Sequence, residues 1–249
     1  MKAWKFHAAH QPLELKELED PTPSKGQVLI EVKAAGLCHS DVGFMDGTLT
    51  DSLSFRPIVL GHEVAGVVTE LGEGVTDFAI GERVAVFAGG NGKPGPENNS
   101  IGIGRNGGFA QKVLAWESEL IRIPENVSFD QAATATDAGM TTHQAVVAVG
   151  RVTAGTKVGI IGLGGLGLTA ARIAVITGAE VYAAEINEAV YAAGTTAGVK
   201  KSSRVQQNWR HLSLMSSSTS QDLERQLLAL LKPSRLVAAL FRSVWVQAK

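Results

Sequence analysis

The chain has 249 residues, 45% of them hydrophobic and 19% charged, with a formal net charge of −1. So near-neutral a balance gives no support for binding nucleic acid or an anionic membrane through a basic surface, and no apolar run reaches the length of a membrane span. The first residues, Met1 to Lys5, lack the apolar core of a secretory signal. A single cysteine, Cys38, leaves no partner for an internal disulfide and points to the cytoplasm.

The first half reads as β-rich. Residues 13–18 and 27–34 alternate apolar with polar side chains, and Pro21-Thr22-Pro23 between them cannot sit inside a helix. Residues 59–71 and 82–87 predict further strands, set off by glycine turns at Gly72-Glu73-Gly74 and Gly81. Residues 89–108 are rich in Gly, Asn and Pro and predict a loop, and 109–114 return to strand. From Asp130 the pattern turns helical through Ala132, Thr136, Met140 and Ala145.

A short apolar run, 158–161, predicts a buried strand and leads into Gly162-x-Gly164-x-x-Gly167, followed by a helical pattern over 168–176. Strand, glycine turn and helix together are the context that turns a weak glycine match into a dinucleotide site. Gly162 suits the tight turn, Gly164 the approach of a pyrophosphate, and Gly167 close packing of helix on strand, with Gly165 and Leu166 in the same turn. N–H groups at the helix start would face the phosphates. A second apolar run, 181–184, ends in Glu185, where an acid holds a ribose hydroxyl. A carboxylate repels a 2′-phosphate and Asn187 is neutral, so NAD is expected over NADP. The plainer reading is a glycine-rich turn in an unrelated α/β protein.

Gly36-Leu37-Cys38-His39-Ser40-Asp41, Gly61-His62-Glu63-Val64-Ala65-Gly66, Gly81-Glu82-Arg83-Val84 and Gly162-Leu163-Gly164-Gly165-Leu166-Gly167 stand in an order and spacing that resemble the zinc-dependent alcohol dehydrogenases of the medium-chain dehydrogenase/reductase superfamily. The likeness covers residues 1 to about 200. It implies an α/β protein: a β-rich GroES-like catalytic domain over 1–149, then a truncated Rossmann domain with a doubly wound parallel sheet over 150–200. It implies zinc held by Cys38 and His62, with Asp137 where many relatives carry a second cysteine; Glu63 would sit beside the metal or coordinate transiently, and Asp41 would orient His62. Ser40 would take up the alcohol proton, and His39 would contact the pyrophosphate. The implied activity is hydride transfer between an alcohol and NAD, giving an aldehyde or ketone, with homo-oligomers typical of the family. Relatives often hold a second, structural zinc with four cysteines; residues 89–105 have none, so one catalytic zinc is expected.

Taken singly, each metal candidate has a plainer reading: Cys38 as a small buried hydrophobe, His62 as a turn residue, Asp137 as a helix N-cap. Phe44 and Trp116 suit either a pocket wall or core packing. A zinc-free reductase of the same superfamily is a further alternative.

After Lys200 the resemblance stops, and residues 201–249 read as an aberrant, out-of-frame tail. With synonymous codons chosen freely, a shifted frame across 208–232 and 235–246 yields strings containing D-V-I-V-D and G-V-V-Q-V-G, similar to the strands relatives need there. The alternative function is therefore a truncated, non-catalytic product of a frameshifted alcohol dehydrogenase gene. A half-built sheet with an unpaired edge is the expected physical consequence.

Overall fold

The computed structural model describes residues 1–89, 99–204 and 236–240. Its contacts divide the chain into a first unit, Met1–Asp137, and a second that begins at Ala138. Both combine strands with helices.

In the first unit, β1 (Lys2–Phe6) lies between β2 (Glu14–Glu17) and β4 (Ile58–Val59) in a three-stranded antiparallel sheet. A five-stranded sheet orders β7 (Lys112–Trp116), β3 (Gln27–Gly36), β5 (Glu63–Leu71), β6 (Arg83–Val86) and β8 (Leu120–Arg122). All its pairings are antiparallel, and β3 slips register against β5 at two bulges. Val28, Ile30, Val64, Val68, Val84, Val86 and Val113 form its core. These β-branched side chains pack well on a pleated face.

The strand expected over 59–71 is two strands in two sheets. Ile58–Val59 pairs with β1, and a new strand starts at Glu63. Gly61, at φ 95°, makes the corner between them, a conformation that costs any other residue. His62 is thereby delivered at the mouth of β5. The 89–108 stretch is described only from Asn99 onward; there it turns tightly and buries Ile101 completely. Phe44, left open above, belongs to the core with Phe6, Leu53, Ile58 and Leu60, whereas Trp116 is 38% exposed.

A helical run begins with α2 (Phe129–Thr134), continues as a π-helical turn over Ala135–Gly139, then α3 (Met140–His143) and a second π turn, Gln144–Val149. Ser128 caps it: its hydroxyl accepts from Gln131 N at 3.2 Å while Gln131 reaches back to Ser128 N at 3.1 Å. Ala132 and Ala133 bury this helix against Ala65 and Ala85.

In the second unit the parallel sheet orders β11 (Lys201–Arg204), β10 (Glu180–Glu185), β9 (Lys157–Ile161) and β12 (Leu236–Leu240). Helix α4 (Gly165–Ile176) follows β9, and α5 (Tyr191–Thr196) precedes β11. Val158, Ile160, Leu163, Ala170, Ala171, Ala174 and Val181 make a separate core. β9 is paired on both sides, since Leu236–Leu240 aligns with Lys157–Ile161 in register, and among the described residues the open edges of the sheet fall on β11 and the apolar β12. A short apolar run of this kind suits a parallel strand. Most of the stretch read as out of frame, 205–235 and 241–249, lies outside the described residues.

The close seat of α2 gives a direct test. Ala133 is 1% exposed against Ala65 and Ala85, so Ala133→Leu should cost about 1–3 kcal/mol of stability through overpacking, measured by denaturant unfolding.

Candidate metal site and glycine turn

The site in the first unit grows from the end of β3. Beyond Gly36 the chain exposes Leu37 and starts α1 (His39–Met45), with Cys38 as its N-cap. Cys38 Sγ accepts from Ser40 N at 3.5 Å and lies 3.2 Å from Ser40 Oγ. Asp41 closes the capping box by accepting from Cys38 N through Oδ2 at 3.0 Å. The spacing Cys38-x-x-Asp41 carries that signal, but a cysteine in place of serine hides it.

Asp41 is completely buried, and its other oxygen, Oδ1, lies 3.5 Å from His62 Nδ1. The opposite edge of the imidazole, Nε2, lies 3.6 Å from Asp137 Oδ2. His62 itself is 3% exposed. Neither separation is a good hydrogen bond, and Asp41 Oδ1 and His62 Nδ1 are buried without one. Burial opposes charge on the imidazole, but the acceptors Asp137, Asp41 and Cys38 outweigh it and push the His62 pKa up to about 12.

Cys38 Sγ, a His62 nitrogen and an Asp137 carboxylate oxygen all lie within 4.8 Å of one another. Among the described residues this is the group of three or more such side chains that could hold a metal ion. A thiol, an imidazole and a carboxylate form a donor set suited to a divalent cation such as zinc. His62 follows the Gly61 corner but is buried among acids, Asp137 stands inside a π turn well past the Ser128 cap rather than capping a helix, and Cys38 is partly exposed. Glu63 is not in that group. It is buried at the start of β5 with its carboxylate across Gly36, where a Cβ would come within 1.8 Å of Glu63 Oε2. His39 is exposed in the first turn of α1.

In the second unit, β9, the glycine turn and α4 form as the spacing predicts. Gly162 adopts φ 87°, and its N–H donates to Ala184 O at 2.8 Å. A Cβ at Gly167 would come 1.8 Å from Gly162 O, so helix and turn touch there. At Gly164, the N-cap of α4, and at Gly165, a Cβ would meet nothing within 4 Å. Those two positions leave the backbone open to an approaching ligand, which fits a pyrophosphate at the helix start. Leu166 opens α4 and packs partly buried against the unit's core. Glu185 ends β10 and is 9% exposed. Its Oε2 accepts from Leu163 N at 2.6 Å and its Oε1 from Asn187 N at 2.8 Å. Its tie to the turn is a structural role that the sequence reading did not include.

The alcohol dehydrogenase GroES-like domain family matches residues 24–125. An alcohol dehydrogenase of Geobacillus stearothermophilus is 33% identical over 200 residues, covering 76% of this chain and 59% of the relative. An NAD-dependent alcohol dehydrogenase of Sulfurisphaera tokodaii is 32% identical, covering 80% of this chain and 62% of the relative. The solved structure of a cobalt- and zinc-bound thermostable alcohol dehydrogenase from Pyrobaculum aerophilum superposes with a TM-score of 0.74 at 29% identity, covering 82% of this chain and 65% of that one. The chain thus spans about six-tenths of the length of the curated relatives it matches. The catalytic-domain match over residues 24–125, the sequence relatives and the shared fold all agree that the chain is similar to the alcohol dehydrogenases.

Proposed function

We propose that this chain is a cytoplasmic, zinc- and NAD-dependent oxidoreductase that moves a hydride between an alcohol and the nicotinamide to give an aldehyde or ketone. The convergence of Cys38, His62 and Asp137 carries the reading. When bound, zinc supplies a Lewis acid that makes an alcohol hydroxyl acidic, and NAD supplies the hydride acceptor.

The chain's own residues do the rest. Cys38, His62 and Asp137 would hold the ion through a thiolate, an imidazole nitrogen and a carboxylate oxygen. Asp41 faces the second nitrogen of His62 at 3.5 Å and would orient the ring by accepting from it. Ser40, beside the Cys38 sulfur, takes the substrate proton and passes it outward. Gly162, Gly164, Gly165, Leu166 and Gly167 shape the turn for the pyrophosphate, and His39 supplies a further contact to it. Glu185 holds a ribose hydroxyl and disfavours a 2′-phosphate. In domain terms this is a medium-chain arrangement of a catalytic and a Rossmann domain. The absence of further cysteines favours a single catalytic zinc.

Titration of the purified chain with Zn²⁺ should reach about one ion per chain. Cys38→Ala and His62→Ala should each abolish tight binding, and retained alcohol-dependent NAD reduction in Cys38→Ala would remove the zinc mechanism.

The two classes of glycine separate by experiment. Gly164→Ala should keep the melting temperature and lose NAD affinity by equilibrium titration, because its Cβ falls where the cofactor approaches. Gly167→Ala should lower the melting temperature, because its Cβ falls on the Gly162 carbonyl.

The sign of the pH dependence follows from His62. Its folded pKa lies above the ordinary 6.5, so in the metal-free protein the imidazolium stabilises the fold below 6.5 and that contribution is lost as pH rises through about 12. Metal must displace this proton, so Zn²⁺ affinity should rise with pH across that window, with release of about one proton from His62 per ion. Calorimetry in buffers of different ionisation heat measures it; affinity independent of pH would contradict the assignment.

A further inference from the structure

One motif singled out in the sequence is not used by the chemistry above: Gly81-Glu82-Arg83-Val84. In the structure Arg83 stands on β6 and reaches the segment that launches α2. Its main-chain carbonyl accepts from Ile123 N at 3.0 Å. Its guanidinium donates from Nη1 to Pro124 O and Glu125 O, each at 3.3 Å, and from Nη2 to Val127 O at 2.5 Å. The same group lies over the Phe129 ring, 4.7 Å from its centroid. One residue therefore grips the chain from Ile123 to Phe129, immediately around the Ser128 cap.

The helix it anchors leads, without a break, into the π turn that bears Asp137. A planar, forked cation matches three carbonyls and a ring face at once, which an ammonium cannot do. The alanines beneath α2 give the helix a smooth seat, with Ala132 and Ala133 on Ala65 and Ala85. Small side chains there interlock little with the sheet, so the polar hold on the N-terminal segment adds to what fixes the helix's register.

We infer that Arg83 is a positioning residue for the metal site: by clamping the start of α2 it sets where the Asp137 carboxylate lies relative to His62 and Cys38. The inference rests on the metal-site reading proposed above. It assigns to Arg83 no contact with substrate, cofactor or metal.

The test uses the full chain and Co²⁺ as the probe, because cobalt absorption reports ligand number and thiolate ligation separately. Arg83→Lys keeps the charge and loses the fork; Phe129→Leu keeps the hydrogen bonds and loses the stacked ring. Asp137→Asn gives the spectrum of a site without its carboxylate. The expected result is that Arg83→Lys keeps the thiolate–cobalt band, binds Co²⁺ about ten-fold more weakly, and shifts its d–d bands toward those of Asp137→Asn. Phe129→Leu should show a smaller shift in the same direction. Arg83→Lys with wild-type affinity and spectrum, whatever its melting temperature, would overturn the inference and leave the metal site intact. Wild-type protein that binds no Co²⁺ would overturn both readings together.

Discussion

A buried imidazole with a carboxylate at each edge is the constraint around which the first unit is organised. His62 is sealed from solvent, flanked by Asp41 at Nδ1 and Asp137 at Nε2, with the Cys38 sulfur close by. Groups of this kind are expensive to bury unless charge is matched. The sequence spends its most specific local devices on holding them. Gly61 turns the chain between sheets to present His62, a capping box fixes Cys38 and Asp41 together, and a π turn presents Asp137. Turns of that type insert one residue into a helix and frequently mark functional sites.

The second unit solves a different problem with the same economy. Its helix and strand approach so closely at Gly167 that no side chain fits, while one turn earlier the backbone stands open at Gly164 and Gly165. Contact at one glycine and clearance at two others divide a single short motif into one packed position and two open ones. Glu185 joins them, since its carboxylate accepts from the backbone of the turn itself.

Much of this was legible in the sequence, and the failures have physical causes. Alternation located β2 and β3, and the β9–turn–α4 element formed as its period and glycines required. The run over 59–71 was read as one strand because apolar residues stand on both sides of Gly61-His62-Glu63, and only the positive φ reveals the corner. Helix α1 was missed since its cap is a cysteine and its seven residues are too short for a period to show. The convergence of Cys38, His62 and Asp137 could not come from spacing, because each arrives from a different element; resemblance supplied it, and the geometry brings the three together. The pairing of Leu236–Leu240 with β9 was equally invisible, since a parallel partner leaves no mark on the strand it joins.

The Cys38 sulfur has one set of lone pairs open to two uses. It accepts the Ser40 amide at the opening of α1, and it stands with a His62 nitrogen and an Asp137 oxygen in the group that could hold a metal ion. Electron density drawn toward a cation there would be density withdrawn from that amide. A cation at the sulfur would therefore loosen the first turn of α1, which bears both His39 and Ser40, and the hydroxyl beside the sulfur would feel it first.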